Sequence, residues 1–293
     1  MEMRVNSVKK IIRDYKVTLA IHYPDQEIMN MIYLLFDTFM GWPKTIIHLS
    51  PDEEIPKKEM RLFDQALLEL GTGKPIQYVL GWTNFNGISL KVNSHVLIPR
   101  PETEELCRII KSDLENTDNR SFSLLDVGTG SGCIALDLKS NFPDSQVTGI
   151  DASQDAIGLA MLNASDNYCE VSLHVADILN PSDCAVIGMF DVIVSNPPYV
   201  TMGEKELMHK NVLDFEPATA LFVPDDDPLL FYRAIANLAV SHLNKPGRLY
   251  FEINERYGTM VCQLIQSFGF EHAERLCDIH GKERFVRAIL KSA

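Results

Sequence analysis

A glycine-rich turn directly after a short apolar strand is the feature of this sequence that most restricts its fold. Residues 124–127 read Leu-Leu-Asp-Val, and they are followed by Gly-Thr-Gly-Ser-Gly at 128–132 and then by a helical pattern. Glycine lets a backbone turn sharply and approach a ligand closely. In sheets of parallel strands, ligands bind in the crevice at the carboxyl ends of the strands. The turn therefore predicts an α/β domain with a ligand at this edge, although such a turn can also be a plain strand–helix connection.

The spacing of the glycines distinguishes two classes of cofactor. A dinucleotide fold has its third glycine three residues after the second, whereas here one residue separates them, and Asp126 precedes the first glycine by two. Asp151 lies 19 residues beyond Gly132, at the end of the second predicted strand, where a carboxylate can accept hydrogen bonds from both ribose hydroxyls. After the third strand, Asp177 can accept from an exocyclic amine and Ile178 can line adenine. The pattern favours S-adenosylmethionine over NAD.

Strand and helix patterns alternate from residue 102 to the end of the chain. Such alternation is typical of a parallel sheet that is covered by helices on both faces. We therefore predict a Rossmann-like α/β domain. The predicted strands are 123–127, 146–150, 171–175, 190–194, 248–253, 272–278 and 284–290, and the predicted helices, besides the one after the glycine turn, are 102–115, 152–167, 228–243 and 259–268.

The first part of the chain, residues 1–72, has helical periodicity instead. Ser7 can cap the first helix, Asp25 can cap the second, and a third runs over residues 56–70. Charges are mixed, and no stripe of Arg and Lys occurs. We expect a small helical bundle that positions a substrate, in preference to a catalytic role.

The stretch at 73–95 changes character. Residues 77–82 and 88–92 are rich in β-branched and aromatic side chains, with Asn86-Gly87 between them as a turn signal. We predict a β-hairpin that links the two larger parts. The predicted domains are 1–72 (helical bundle), 73–95 (hairpin linker) and 96–293 (α/β domain).

A second motif, Asn196-Pro197-Pro198-Tyr199, follows the fourth strand. Two prolines stiffen the backbone and cannot continue a central strand, so the motif can be a stiff loop that closes the strand. The flanking polar residues favour chemistry instead. A planar amide or amino nitrogen offers two donors, which the Asn196 side-chain oxygen and the Pro197 carbonyl can accept. These acceptors would stabilise charge on the nitrogen as a methyl group arrives, while Tyr199 stacks on the flat substrate group.

The net charge of −13 is distributed unevenly. Residues 1–95 hold 11 basic and 11 acidic residues, whereas residues 96–293 hold 16 and 29. Proteins that neutralise nucleic-acid phosphates usually present a basic surface. We expect no direct DNA binding, although a local basic groove would still be compatible with these counts.

The six cysteines are scattered, and no pair has the Cys-x-x-Cys spacing. This disfavours a zinc site or a disulfide framework, and free thiols are typical of a reducing compartment. No run approaches the ~18 apolar residues of a membrane span, and residues 1–10 lack the apolar core of a signal peptide. We expect a cytoplasmic protein with no metal site and no membrane partner.

One further stretch, Leu-Ile-Pro-Arg-Pro-Glu-Thr-Glu at 97–104, is more selective than the Asn-Pro-Pro-Tyr motif, which DNA amino-methyltransferases share. With it, the chain resembles the protein-(glutamine-N5) methyltransferases that modify peptide chain release factors, the PrmC/HemK family. The resemblance spans nearly the whole chain. It also includes residues 75–78, Gly81, Phe85, Phe215-Glu216-Pro217, Ala220-Leu221, Asp278, Gly281 and Arg284, besides the glycine turn, Asp151 and residues 196–199.

The resemblance implies a class I S-adenosylmethionine-dependent methyltransferase with a seven-stranded, mostly parallel sheet, preceded by a helical domain and a hairpin linker. It implies methylation of the glutamine side-chain nitrogen in the Gly-Gly-Gln motif of class I release factors. It also implies that Arg100 and Glu102 border the cofactor. The candidate cofactor contacts are Gly128, Thr129, Gly130, Ser131, Gly132, Asp151, Asp177, Ile178 and Asn196; the candidate substrate contacts are Asn196, Pro197, Pro198 and Tyr199, of which Asn196, Pro197 and Tyr199 are the candidate catalytic residues.

One position and one stretch of residues depart from the family pattern. Family members often carry an aromatic residue where Ile178 stands, so adenine stacking is expected to be weaker here. Val-Pro-Asp-Asp-Asp-Pro at 223–228 replaces a more usual glycine-rich stretch. We expect this replacement to alter the shape of the loop over the active site without altering the chemistry.

Two alternative functions share parts of this pattern. A DNA adenine or cytosine methyltransferase would use the same Asn-Pro-Pro-Tyr turn on a flipped base, but it would be expected to carry a basic recognition region. A non-catalytic nucleoside-binding adaptor would not require that turn.

Overall fold

The computed structural model of the protein describes residues 6–115, 121–184 and 187–291. Contacts divide the chain into two compact units. The first runs up to Gly81 and includes His209–Phe215, and the second comprises Trp82–Met208 and the residues from Glu216 onward. The glycine turn and the Asn-Pro-Pro-Tyr turn both lie in the second unit.

The secondary structure consists of twelve α-helices, two 3₁₀ helices and eleven strands in the described ranges. The α-helices are α1 (Val8–Leu19), α2 (Asp25–Met40), α3 (Lys44–Leu49), α4 (Lys57–Leu70), α5 (Ile76–Leu80), α6 (Pro101–Glu115), α7 (Cys133–Asn141), α8 (Gln154–Asp166), α9 (Pro181–Cys184), α10 (Lys210–Phe215), α11 (Leu230–His242) and α12 (Gly258–Ser267). The strands are β1 (Trp82–Phe85), β2 (Ile88–Lys91), β3 (Ser123–Val127), β4 (Gln146–Asp151), β5 (Ser172–Val175), β6 (Phe190–Ser195), β7 (Val200–Thr201), β8 (Phe222–Val223), β9 (Leu243–Glu252), β10 (Glu271–Cys277) and β11 (Glu283–Leu290). The 3₁₀ helices are Met202–Leu207 and Ala218–Ala220.

The first unit contains the helical bundle that the sequence predicts. Its helices bury apolar residues at helical spacing, such as Ile32 and Phe36 of α2. The ring centroid of Phe36 lies 4.6 Å from that of Phe63 in α4, so aromatic packing joins these helices. Ser7 caps α1 as predicted, because its hydroxyl accepts a hydrogen bond from the Lys10 N–H at 3.3 Å.

Two details of the predicted bundle are wrong. Asp25 is not the cap of α2 but its first residue; the preceding Pro24 has extended backbone, and its carbonyl accepts from the N–H groups of Glu27 and Ile28. A carboxylate in the first turn still favours the helix through its dipole. The helix α3 was not predicted, since its six residues are too few to show a periodicity.

The hairpin is confirmed, but its predicted first arm is not. Residues 76–80 form the helix α5, which begins after Pro75 and ends at Gly81 with φ +77°. A proline before the first turn and a left-handed glycine after the last are helix signals that outweigh the β-branched composition between them. The hairpin pairs β1 with β2, and Asn86 (φ +48°) and Gly87 (φ +87°) form the predicted turn.

The second unit is built on a seven-stranded sheet of order β5-β4-β3-β6-β9-β11-β10. Neighbours from β5 to β9 are parallel, and β11 is antiparallel to both β9 and β10. This is the predicted Rossmann-like sheet, with strands at nearly the predicted positions. The exception is β9, which begins at Leu243 where the sequence predicted the end of a helix.

Alternate residues of each central strand enter two different cores. Leu125, Ile193 and Phe251 pack with α11 and α12 on one face of the sheet. Leu124 and Val192 pack with α6, α7 and α8 on the other, where the hairpin also contributes apolar side chains. Because both faces are covered, the strands are apolar nearly throughout, as in other parallel sheets.

The carboxyl ends of β3, β4 and β6 meet at one edge of the sheet. The chain leaves β3 toward β4 on one side, and β6 lies on the other, so β3 stands where the strand order reverses. Open α/β sheets bind ligands at such a point. Beyond β6, β7 pairs with β8 in parallel and so joins the Asn-Pro-Pro-Tyr turn to residues 222–223.

Within the ranges that the structure describes, no helix is both long and apolar enough to cross a membrane. In the same ranges, no three His, Cys, Asp or Glu side chains are grouped so as to hold a metal ion. The six cysteines are all free thiols.

Candidate active site

A cavity of about 440 Å³ lies at the edge of the sheet where β3, β4 and β6 end. Its volume is within the ~300–1,000 Å³ range of small-molecule sites. The lining includes all the candidate cofactor and substrate residues except Gly132 and Tyr199; those that line it are Gly128, Thr129, Gly130, Ser131, Asp151, Asp177, Ile178, Asn196, Pro197 and Pro198. Residues from both sequence motifs therefore surround one space.

The glycine turn forms one side of the cavity in a backbone conformation that favours glycine. Gly128 and Gly130 have φ values of +73° and +56°, which residues other than glycine, asparagine and aspartate rarely adopt. The N–H groups of Gly128 and Thr129 donate to the carbonyl of Ile150 at 2.8 and 2.9 Å, so the turn is fixed to β4. Gly132 caps α7 instead of lining the cavity, also with a positive φ of +84°.

Asp151 ends β4 and is held by two backbone donors. Its Oδ2 accepts from the Gly130 N–H and its Oδ1 from the Ser153 N–H, both at 2.9 Å. Burial raises the pKa of this carboxyl, although the two donors act in the opposite direction. Each carboxylate oxygen retains a further lone pair. Asp151 is therefore a rigid acceptor for two hydroxyl groups.

Asp177 and Ile178 follow β5 and line the same cavity. The Asp177 Oδ1 accepts from the Leu179 N–H at 2.9 Å, which fixes the carboxylate at the start of the loop. Ile178 packs partly against the apolar core beneath the sheet. These two residues provide an acceptor beside an apolar wall.

Two buried polar atoms near the glycine turn have no hydrogen-bond partner among the described residues. They are the Ser131 hydroxyl, which lines the cavity, and the Oδ1 of Asp126. The other carboxylate oxygen of Asp126 accepts from the Thr129 hydroxyl at 2.6 Å and from the Ala135 N–H at 3.2 Å. Burial raises the pKa of Asp126 to about 7. Buried groups without a partner are uncommon in native proteins.

These features fit S-adenosylmethionine. Asp151 suits its ribose hydroxyls, Asp177 with Ile178 suits its adenine, and the unsatisfied Ser131 hydroxyl suits the polar end of its methionine part. The left-handed glycines leave open space where a Cβ atom would stand at 128 and 130. The cavity thus has both the shape and the donor and acceptor groups for this cofactor.

The Asn-Pro-Pro-Tyr turn forms the opposite side. It follows Ser195, whose hydroxyl donates to the carbonyl of Val127 at 2.6 Å and so ties the ends of β6 and β3 together. The Asn196 Nδ2 donates to the Thr103 Oγ1 at 3.1 Å. The Oδ1 of Asn196 has no hydrogen-bond partner within the described part of the chain. Asn196 therefore has an acceptor available to a substrate.

Behind this turn lies a carboxyl that sequence reasoning missed. Glu252, the last residue of β9, is 1% exposed. Its Oε2 accepts from the Thr103 hydroxyl at 2.7 Å, and its Oε1 accepts from the Tyr199 hydroxyl at 3.1 Å. Burial raises the pKa of Glu252 to about 7, although these two hydrogen bonds lower it. An acidic residue within the apolar run at 249–253 is the signal that could have identified it.

Tyr199 is thus directed away from the cavity lining. Its ring packs against the core on the α11 face, and its hydroxyl contacts Glu252. Burial, together with the charge of Glu252, raises the pKa of the Tyr199 phenol, which keeps it protonated. Stacking of Tyr199 on the substrate stays a prediction; the structure shows its hydroxyl as a donor to a buried carboxylate.

The stretch at 97–104 contributes through an ion pair. The Arg100 guanidinium donates to the Oε1 of Glu216 at 2.6 Å, and the Ile98 N–H donates to the other oxygen at 3.1 Å. The Glu216 side chain is 1% exposed. Arg100 and Ala220 both line the cavity, whereas Glu102 does not. The ion pair therefore connects two segments that border the site.

Two family models match this chain. The model described as "Methyltransferase small domain" matches residues 106–215, and the one described as "PrmC N-terminal domain" matches residues 13–81. Among solved structures, a methyltransferase from Pyrococcus furiosus has a TM-score of 0.52 at 17% identity, covering 71% of this chain and 91% of its own. The 16S rRNA N2 G1207 methyltransferase from Thermus thermophilus has a TM-score of 0.51 at 16% identity, covering 72% and 50%. These structures show the class I methyltransferase fold.

Relatives with higher sequence identity match this chain over almost its full length. A protein from Flavobacterium psychrophilum named release factor glutamine methyltransferase is 40% identical over 94% of this chain and 98% of its own. A protein of the same name from Bacteroides thetaiotaomicron is also 40% identical, over 91% and 94%. The enzyme is thus a methyltransferase, with S-adenosylmethionine as its cofactor. From fold, cavity and relatives together, we conclude that the chain belongs to the release factor glutamine methyltransferase family.

Proposed function

We propose that this enzyme methylates the side-chain amide nitrogen of a glutamine in peptide chain release factors. The glutamine is the one in the Gly-Gly-Gln motif of class I factors, and the reaction takes place in the cytoplasm, where these factors act. Support comes from the relatives, whose names give release factor glutamine as the methylated group. The proposal for this chain depends on the geometry at Asn196.

The observation that carries the proposal is the fixed amide of Asn196 at the cavity. Its Nδ2 is engaged with Thr103, so the Oδ1 remains as an acceptor beside the rigid backbone of Pro197 and Pro198. A glutamine amide has two N–H donors. The Asn196 Oδ1 and the Pro197 carbonyl are proposed to accept one each. Recognition of an NH₂ group by two acceptors selects a primary amide or amine over a hydroxyl.

The same two acceptors assist the transfer. Bound S-adenosylmethionine supplies an electrophilic methyl group on its sulfonium. An amide nitrogen is a poor nucleophile because its lone pair is delocalised into the carbonyl. Acceptors fixed on both N–H groups would stabilise the positive charge that builds up on nitrogen as the new N–C bond forms and the methyl–sulfur bond breaks to leave a neutral thioether, and they would hold the nitrogen in line with the methyl group. One of the two amide protons is then released to water.

Charge distinguishes a protein substrate from a nucleic acid. Residues 96–293, which contain both motifs, have 13 more acidic than basic residues (29 against 16). A duplex would have to approach this part of the chain against its net charge. A glutamine loop of a protein meets no such repulsion in general. The charge balance therefore supports a protein amide over a flipped base.

A transfer assay with three acceptors tests the proposal. Purified enzyme is supplied with methyl-labelled S-adenosylmethionine and a class I release factor, the same factor with its Gly-Gly-Gln glutamine replaced by alanine, or duplex DNA. We expect label on the unmodified factor, with mass spectrometry placing one methyl group on that glutamine. Label on DNA with none on the factor would overturn the proposal. Label that persists on the alanine variant would overturn the assignment of the motif.

A further inference from the structure

We infer that Glu252 is a positioning residue, which acts through Thr103 to set the direction of the Asn196 side-chain amide. In that direction the Oδ1 of Asn196, and not its Nδ2, is presented to the substrate nitrogen. The inference rests on the proposed function, because it assigns how this site distinguishes a donor from an acceptor group. It concerns a residue that does not line the cavity.

The three residues come from three different elements of one unit. Thr103 is in the first turn of α6, Asn196 follows β6, and Glu252 ends β9. They form a continuous chain of hydrogen bonds, 3.1 Å from the Asn196 Nδ2 to the Thr103 Oγ1 and 2.7 Å from that Oγ1 to the Glu252 Oε2. Thr103 is 2% exposed and Glu252 is 1% exposed, so water does not compete for these groups.

This chain of hydrogen bonds has one stable donor-to-acceptor direction when Glu252 is ionised. A carboxylate can only accept hydrogen bonds, so the single hydroxyl proton of Thr103 must point toward it. The Thr103 oxygen is then left to accept, and it accepts from the Asn196 Nδ2. If the amide were rotated by half a turn, the Asn196 Oδ1 would face the Thr103 lone pair with no proton between two acceptors. The negative charge of Glu252 thus selects the orientation of the Asn196 amide through the intervening Thr103 hydroxyl.

Further contacts hold the carboxylate itself in place. The Tyr199 hydroxyl donates to its second oxygen at 3.1 Å, and the Tyr232 hydroxyl donates to its main-chain carbonyl at 3.3 Å. Among the described residues, Glu252 forms no salt bridge. A buried carboxyl without a salt bridge costs folding free energy, whereas an apolar side chain would pack there at less cost. A role at the site accounts for a charge at this position.

The test uses matched variants of Thr103. Thr103→Val keeps the shape but removes the hydroxyl, and Thr103→Ser keeps the hydroxyl. We expect kcat for release factor methylation to fall about tenfold to a hundredfold in Thr103→Val and in Glu252→Gln. Thr103→Ser should retain kcat within about threefold, and the affinity for S-adenosylmethionine should stay within about threefold in all of them. A merely structural defect would lower the affinity for S-adenosylmethionine and the Tm together with kcat, whereas a defect in the Asn196 orientation lowers kcat alone.

The double variant Thr103→Val/Glu252→Gln provides a second test of the inference. If Glu252 acts through Thr103, Glu252→Gln should lower kcat little further in the Thr103→Val background, because the link is already broken. Losses that multiply would overturn the inference. If Glu252→Gln fails to fold, as judged by circular dichroism, the valine–serine pair decides alone, and a Thr103→Val enzyme with wild-type kcat refutes it. Absence of transfer by the wild-type enzyme would instead refute the proposed function.

Discussion

Asn196 contributes one amide oxygen to the cavity, and the proposed chemistry depends on that oxygen. We expect Asn196→Ala to lower kcat by about 10²–10³, the usual effect of removing one group that stabilises transition-state charge. Binding of S-adenosylmethionine, measured by calorimetry, should change by less than about threefold, since the candidate contacts to its adenine and ribose are other residues.

A matched control for this variant exists at the opposite end of the sheet. Asn244 lies at the start of β9, and its Nδ2 donates to the Asp191 Oδ1 at 2.8 Å. Asn244→Ala removes the same group far from the cavity and should leave kcat unchanged. Unaltered turnover in Asn196→Ala would remove the role assigned to that residue.

The protonation state of Glu252 leads to a pH dependence. Its raised pKa of about 7 follows from burial, and its charged neighbours Glu102 and Arg284 act in opposite directions. Below that pKa the carboxyl carries its own proton and can donate to Thr103, which removes the preference for one Asn196 orientation. We therefore expect kcat to fall as pH is lowered through about 7.

Steady-state kinetics across about pH 5 to 9 measure this fall in kcat, which is the acidic limb of the pH profile. In Glu252→Gln the part of this fall in kcat that is due to Glu252 should disappear, because glutamine does not titrate, whereas any part due to Asp126, whose pKa burial also raises to about 7, should remain. A limb of unchanged position in that variant would show that another group is responsible. The Tyr199 phenol does not contribute to it, since its pKa is raised above its ordinary value.

Among the elements, the turn between β3 and α7 depends most on single backbone angles. Gly130 has a φ of +56°, and its N–H donates to Asp151. An alanine there is strained by about 1–2 kcal/mol even though the space around its Cβ would be open. We expect Gly130→Ala to weaken S-adenosylmethionine binding by about tenfold and to lower the Tm, as measured by calorimetry and thermal unfolding.

Gly158 provides the control for this variant. It lies inside α8, without a positive φ, and a Cβ there would meet nothing within 4 Å. Gly158→Ala should be neutral or slightly stabilising, because alanine restricts the unfolded chain. Equal weakening of cofactor binding in both glycine variants would contradict the argument from backbone conformation.

The elements also show what the sequence could and could not predict. The strands β3, β4 and β6 were predictable because parallel strands buried on both faces are apolar runs. The helix α5 was missed, because the β-branched and aromatic composition of this five-residue segment favours a strand against the helix signals of Pro75 and Gly81. No helix or strand was predicted for residues 200–223, and they form short elements held by contacts such as the pairing of β7 with β8.

The residues of the site also include some that the sequence could predict and some that it could not. Residues in local motifs, such as Asp151 and Asn196, could be located from their distance to the end of a strand. The contact between Thr103 and Glu252 could not, because it joins positions 149 residues apart. Only the order of strands brings β9 next to β6 and so places that carboxyl behind the Asn-Pro-Pro-Tyr turn.

For the molecule as a whole, the raised pKa of the buried Glu252 carboxyl makes stability depend on pH. Glu252 has a folded-state pKa of about 7, against an ordinary value of 4.5 for a glutamate side chain. The folded state therefore binds more protons between these pH values, and the unfolding free energy contributed by this group falls as pH rises from about 4.5 to 7. The full effect is at most on the order of 3 kcal/mol.

Comparison of Glu252→Gln with the wild type isolates this effect. The difference in unfolding free energy should shift in favour of the variant as pH rises from about 5 to 8. Denaturant titrations at several pH values measure it. A difference that is constant with pH would show that the carboxyl titrates normally in the folded protein.

The chain of hydrogen bonds from Asn196 to Glu252 also has a consequence for the order of synthesis. A growing polypeptide that ends before β9 already contains the glycine turn, Asp151 and the Asn-Pro-Pro-Tyr turn. It lacks the carboxylate that orients the Asn196 amide. The orienting carboxylate therefore reaches Asn196 only after the fifth parallel strand has joined the sheet, so full methyl-transfer activity is expected only from a chain that has been synthesised past β9.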